Sequence, residues 1–119
     1  MNWNLLNNMN FIKYIKRKYY LYKVKKIVSE EFRIKYSHLL KKSRKRDIST
    51  ARFVYVHILN KHFMFSYKEI YKELNLIKHD GRIAYANNMV EKLSTIDKEF
   101  KHHFDNIIQK IKDENITRI

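Results

Sequence analysis

The chain of 119 residues has no cysteine, no proline and a single glycine, Gly81. Without cysteine it has no disulfides, no thiolate zinc site and no cysteine nucleophile, as is usual in a reducing compartment. One glycine is too few for a glycine-rich phosphate loop or dinucleotide turn. Since no run of about 18 apolar residues occurs, neither a membrane span nor a signal peptide is expected.

Acidic residues are also few: the chain has 12 Asp and Glu but 26 Lys and Arg, so its formal net charge is +14. The excess is uneven: residues 1–26 carry +7, residues 27–63 carry +6 and residues 64–119 carry +1. A strongly basic chain predicts a polyanionic partner. The unequal distribution places the expected binding surface in the first half.

Clusters of catalytic or metal-binding residues are equally scarce. His57 and His62 are five residues apart and His102 and His103 are adjacent, so neither pair has the i, i+4 spacing of a shared helical face. The sequence also has no nucleophile elbow and no clustered carboxylate pair in an apolar setting. We therefore expect no metal site, no cofactor and no enzymatic activity.

Apolar residues recur three and four positions apart, which predicts an all-α fold of five or six helices with a central helix-turn-helix. The expected helices are 8–32, 36–40, 49–62, 66–74, 82–94 and 97–112. The length fits one domain. We assign it to residues 24–112, between a basic and aromatic N-terminal segment, residues 1–23, and a tail, residues 113–119.

Helix 49–62 is the most apolar and is expected at the centre of the core. In the first helix the residues predicted to face the core are Phe11, Ile15, Tyr19, Tyr22, Val24, Ile27 and Val28, and in helix 49–62 they are Phe53, Val56, Ile58 and Leu59. In helix 66–74 they are Ile70 and Leu74, and in helix 82–94 they are Ile83, Ala86, Val90 and Leu93. In helix 97–112 they are Phe100, Phe104, Ile107, Ile108 and Ile111. Ser66 and Glu69 form a capping-box pattern. The other expected caps are Ser37, one of Asp47, Ser49 and Thr50, and Asp80.

Two stretches are candidates for contact with nucleic acid. Residues 41–46 place five cations in six positions, and cations that neutralise phosphates release condensed counterions. Helices 66–74 and 82–94 have helix-turn-helix spacing, so side chains at the turn and at the start of the second helix would meet an anion or a base edge. The candidates are Lys41, Lys42, Ser43, Arg44, Lys45 and Arg46 in the loop, and Lys78, His79, Arg82 and Asn87 at the turn and second helix. A merely solvated loop, and ordinary surface roles for Asn87 and Asn88, are the alternatives.

From Val24 onward the order of features is Ile34-Lys35-Tyr36, Leu39-Leu40, Ser43-Arg44-Lys45-Arg46, Ala51-Arg52, Ser66 and Glu69-Ile70. This order, over residues 24–112, resembles the C-terminal DNA-binding domain of the bacterial replication initiator DnaA. The resemblance implies binding of double-stranded DNA, with Arg44 in the minor groove and Arg52 at the place of the arginine that opens the next helix.

The family's recognition helix begins with Arg-Asp-His-Thr-Thr, whereas this chain has Lys78-His79-Asp80-Gly81-Arg82. The acid and imidazole are interchanged, and both threonines are replaced. The family's target sequence therefore does not carry over to this chain.

The N-terminal segment interleaves aromatic residues with Lys and Arg, which suits packing on the domain, a membrane-surface helix or stacking on nucleic acid. Docking of a partner protein is a further alternative for this segment, and a membrane is not the expected partner.

The sequence predicts a cytoplasmic, nucleoid-associated protein that binds double-stranded DNA in replication initiation or transcriptional regulation, of the kind that a phage encodes. The alternative is a structural nucleic-acid-associated protein of a virion or ribonucleoprotein, without sequence specificity.

Overall fold

The computed structural model describes residues 3–41, 45–75 and 81–116. Within these ranges it contains no strand, and its elements are α1 (Trp3–Glu31), the 3₁₀ helix η1 (Tyr36–His38), α2 (Arg46–Lys61), α3 (Tyr67–Leu74), α4 (Arg82–Ile96) and α5 (Lys98–Asp113). The predicted all-α class is confirmed, and α3 and α4 form the helix-turn-helix pair. None of the described helices is both long and apolar enough to cross a membrane.

The centre of the core is α2, which packs against α1, α3 and most extensively against α4. Its buried residues are Ala51, Val54, Tyr55, Val56, His57, Ile58 and Leu59. The predicted core faces of the later helices are confirmed by Ile70, Ile83, Ala86, Val90, Phe100, Ile107 and Ile111, which are buried. Phe53, Leu74, Leu93, Phe104 and Ile108 are partly buried at the margin of this core.

The predicted core face of α1 is wrong over its first half. Phe11, Ile15, Tyr19 and Tyr22 are 47 to 62% exposed, whereas Val24, Ile27 and Val28 are buried as expected. The residues that extend the core face are Tyr20 and Leu21. Residues 10–19 are all exposed, so this part of α1 buries no face; from Tyr19 onward the apolar residues lie on two opposite sides, and periodicity alone cannot select between them.

The capping box at the start of α3 is confirmed. The amide of Glu69 donates to the hydroxyl of Ser66 at 3.2 Å, and the amide of Ser66 donates to the carboxylate of Glu69 at 3.2 Å. This reciprocal pair satisfies backbone donors that a helix N-terminus otherwise leaves unpaired.

The predicted caps of α2 and η1 are wrong. Since α2 begins at Arg46, the proposed caps Asp47, Ser49 and Thr50 lie inside the helix, and the hydroxyl of Ser49 donates to the carbonyl of Arg46 at 3.2 Å. Ser37 likewise lies within η1 and does not cap it. Lys45 and Lys35, which hold the two N-cap positions, make no side-chain cap.

Two polar contacts hold α3 in place. The hydroxyl of Tyr55 in α2 donates to the carboxylate of Glu73 at 3.2 Å. From the other side, the guanidinium of Arg17 in α1 forms an ion pair with Glu69. The helix is therefore fixed against α2 near its end and against α1 near its start.

A chain of hydrogen bonds between side chains joins α2 to α4. The His57 Nδ1 and Asn87 Oδ1 atoms are 3.0 Å apart, and Asn87 Nδ2 donates to Asn60 Oδ1 at 3.0 Å. Asn60 Nδ2 in turn donates to the carbonyl of Phe65 at 2.9 Å. Because the amide nitrogen of Asn87 is used on Asn60, its oxygen must accept, which assigns the proton of His57 to Nδ1. This hydrogen-bond chain locks α4 to α2 and to the segment that enters α3.

Replacing Asn87 with Ala should destabilise the fold, because it leaves the His57 N–H and the Asn60 oxygen without their partner. We expect the free energy of unfolding to fall by about 1–3 kcal/mol in urea titrations. Asn88, the neighbouring exposed residue, supplies the control, since Asn88→Ala should change the free energy of unfolding by less than about 0.5 kcal/mol. Equal losses in the two variants would contradict the assigned hydrogen-bond chain.

Stability should also fall in acid through His57. Burial is the main cause that lowers the pKa of His57, and the charge of His62 adds to it, while the hydrogen bond to Asn87 opposes it. A lowered folded-state pKa means that the unfolded chain binds the proton first, so this stabilisation is complete above about pH 6.5 and is lost as the pH falls. Unfolding titrations between about pH 7.5 and pH 5 should show a smaller loss for His57→Gln than for the parent chain. An unchanged pH profile would exclude His57 as a source of this dependence.

Candidate nucleic-acid interface

Six of the predicted contact residues lie in the described ranges: Lys41, Lys45, Arg46, Arg52, Arg82 and Asn87. The other five lie outside the described residues: Lys42, Ser43, Arg44, Lys78 and His79. The geometry of the candidate interface therefore comes from the two ends of the basic loop, from α2 and from α4.

Arg52 ties the start of the basic loop to α2. Its Nη1 atom donates to the carbonyl oxygen of Lys41. Burial is the larger cause that lowers the pKa of Arg52, and the positive charge of Arg82 lowers it further. A guanidinium stays protonated in proteins, so Arg52 keeps its charge. It thus anchors the loop backbone, and the positive charge of the first residue of α4 acts on it.

Three lysines act on His38, the last residue of η1. Burial lowers the pKa of His38, and the charges of Lys41, Lys35 and Lys45 lower it further, in that order. Lys41 and Lys45 stand on either side of residues 42–44, and both are exposed. Both ends of the loop therefore contribute positive charge beside η1.

The turn between α3 and α4 is bounded by two residues in left-handed conformation. Asn75 follows α3 with a φ of 55°, and Gly81 precedes α4 with a φ of 72°. Glycine adopts this conformation without steric cost, which accounts for the position of the chain's single glycine. Gly81 occupies the N-cap position of α4 and makes no side-chain cap there, while the predicted cap, Asp80, lies outside the described residues.

The N-terminus of α4 is electropositive. Its first turn contains no acidic residue and begins with Arg82, which is exposed. The aligned backbone dipoles add a partial positive charge at the same end of the helix. This end of α4 therefore suits a phosphate or the acceptor edge of a base.

The outer face of α4 carries Tyr85, which sequence reasoning missed, and Asn88, for which it left a surface role open. Tyr85 is 56% exposed one turn after Arg82, and its ring contacts Phe53 edge-on with 5.4 Å between centroids. Ala84 and Asn88 are exposed on the same side. The helical period contained this signal, because these positions lie away from the predicted core residues of α4.

Asn87 does not lie on this outer face, contrary to its predicted contact with DNA. Its side chain is 5% exposed, and both amide atoms are used by His57 and Asn60. A contact with a base would require both hydrogen bonds to break. Asn87 is part of the structure that positions α4.

His57 in α2 and His62, which directly follows α2, pack against α5. The rings of His57 and His62 lie 6.0 Å apart, and both lie against Phe104. Burial is the main cause that lowers the pKa of each. In the part of the chain that the structure describes, no three His, Asp or Glu side chains are placed to hold a metal ion.

Comparison with known proteins agrees with this helix-turn-helix geometry. A family profile described as "Bacterial dnaA protein helix-turn-helix" matches residues 21–80. The chain is also similar to the chromosomal replication initiator protein DnaA of Flavobacterium psychrophilum, with 29% identity over 101 residues. That alignment covers 85% of this chain and 21% of the Flavobacterium protein, so the chain spans about a fifth of its relative's length. With the profile matching α2, α3 and the basic loop between η1 and α2, the chain belongs to the family of bacterial DnaA helix-turn-helix domains.

Proposed function

We propose that this chain binds double-stranded DNA and acts in replication initiation or transcriptional regulation. The basic loop would contact phosphates and the minor groove, and α4 would enter the major groove as the recognition helix. The observation that carries the proposal is the hydrogen bond from Arg52 to the carbonyl oxygen of Lys41, which joins the basic loop to α2, where the next residue, Phe53, contacts Tyr85 of α4. The first half of α2 thereby relates the two surfaces that a duplex would meet.

The loop is suited to phosphates because five of its six residues, 41–46, are cations. Lys41 and Lys45, which flank residues 42–44, are both exposed. Such a concentration of charge favours binding through counterion release. Within this proposal Arg44 enters the minor groove, where a narrow A·T tract concentrates negative potential on an inserted arginine.

The sequence-reading part of the proposal rests on the exposed side of α4. Arg82 can make a bidentate contact with guanine, and Asn88 can do so with adenine. Tyr85 lies between them on the same side and can donate its hydroxyl proton to a phosphate. Since Asn87 is buried, Arg82 and Asn88 are the long polar side chains that we assign to base edges.

Binding should depend steeply on salt. If about six phosphates are contacted, a plot of log affinity against log salt should have a slope of about −5 on duplex DNA. Fluorescence anisotropy with a labelled duplex, titrated at several salt concentrations, measures this slope. A slope shallower than about −2 would contradict a phosphate-dominated interface.

Arg82→Ala should lower specificity more than general affinity. On a site obtained by selection from genomic fragments, we expect a loss of about 1–3 kcal/mol at one base position, with little change on random duplex. Lys110→Ala is the matched control, because it removes one exposed cation from α5, which carries none of the interface residues. If Arg82→Ala weakens both duplexes equally, the chain does not read bases through this residue, and the structural nucleic-acid-associated alternative is favoured.

A further inference from the structure

The outward side of α1 carries a second apolar row, formed by Ile12, Ile15, Tyr19 and Tyr22. Each is about half exposed, between 47 and 51%. Successive members are separated by three, four and three residues, which is the a and d spacing of a heptad repeat. Since α1 is a continuous helix through this stretch, the four residues line up along one side of it.

This outer row lies away from the core. In the same heptad register Val24 takes position f, and Ile27 and Val28 take positions b and c, on the opposite side of the helix from a and d. These three residues are buried, so the contacts that bind α1 to the domain leave the row uncovered. The ring of Tyr22 contacts Tyr36, with 5.8 Å between centroids, which extends the apolar surface onto η1.

Cations flank the row on both sides. Lys16 and Lys23 take the e positions, Lys18 and Lys25 take the g positions, and residues 1–26 contain no acid. Lys23 forms an ion pair with Glu114, with 2.8 Å between Nζ and Oε1. In paired helices the e and g residues select the partner. A second copy of α1 would place lysine against lysine, which opposes self-pairing.

We propose that the outer row of α1 docks an amphipathic helix of another protein, with apolar residues at heptad spacing and Asp or Glu at the flanking positions. The lysines at the e and g positions favour an acidic partner, and the heptad spacing of the outer row favours a helical one. Ile12 and Ile15 also favour a packed helix over nucleic acid, because bases stack on aromatic rings and guanidinium planes rather than on aliphatic side chains.

Two synthetic peptides test the proposal directly with the full chain. Both have about four heptads with Leu at a and d; one has Glu at every e and g position, and the other has Lys. Measured by fluorescence anisotropy, the Glu peptide should bind at least about tenfold more tightly than the Lys peptide. Equal binding of the two peptides, or binding of neither, would overturn the proposal.

Variants on the exposed side of α1 then locate the site. The double variant Ile12→Asn, Ile15→Asn should lose at least about tenfold in affinity for the Glu peptide while its thermal unfolding is unchanged, because both residues are exposed. Ile96→Asn is the control, since Ile96 is 66% exposed at the end of α4. Lys16→Glu with Lys18→Glu should reverse the preference between the peptides. An unchanged preference, or an equal loss in the Ile96 variant, would refute the assigned face.

Three further probes separate the other occupants. Binding to oligothymidine tests for single-stranded nucleic acid, and binding to vesicles of phosphatidylglycerol tests for an anionic membrane. Sedimentation of the chain alone tests for a second copy. The proposal expects that the double isoleucine variant leaves all three measurements unchanged. If that variant abolishes binding to oligothymidine or vesicles, or abolishes self-association, the corresponding occupant replaces the acidic helix.

Discussion

The attachment of α4 to α2 is the constraint on which the rest of this helix-turn-helix depends. Apolar packing of Ile83, Ala86 and Val90 brings the two helices together, but packing alone permits small rotations and shifts along the axis. The hydrogen-bond chain through His57, Asn87 and Asn60 is directional and selects one arrangement. Because this chain ends on the backbone before α3, it also fixes where the helix-turn-helix begins.

The basic loop is attached to the same central helix, α2, through Arg52. The positive charge of Arg82 acts unfavourably on Arg52, and the carbonyl oxygen of Lys41 accepts a hydrogen bond from the Arg52 guanidinium. A polyanion that approached this surface would remove the repulsion between Arg52 and Arg82. Binding of a polyanion at this surface would therefore also stabilise the fold, which links stability to binding.

Sequence reasoning predicted the elements whose signals are local or strictly periodic. The Ser66 capping box, the central helix α2 and the core faces of α3, α4 and α5 are of this kind. It failed where two signals competed: α1 has apolar residues on opposite sides, and only tertiary contacts select between them. Asn87 was misassigned because a buried asparagine looks like a surface one until its partners, His57 and Asn60, are brought near from another helix. The start of α2 was placed too late because Asp47 and Ser49 also favour positions inside a first turn.

The ion pair between Lys23 and Glu114 joins residues 91 positions apart in the chain. Closing so large a loop has a higher entropic cost than bringing α2 and α4 together, which are separated by only the α3 region. The packing of α1 with α5 is therefore expected late in folding, after the helix-turn-helix has formed around α2. We therefore expect the candidate DNA-binding unit to form before the two ends of the domain, α1 with its outward row and α5, come together.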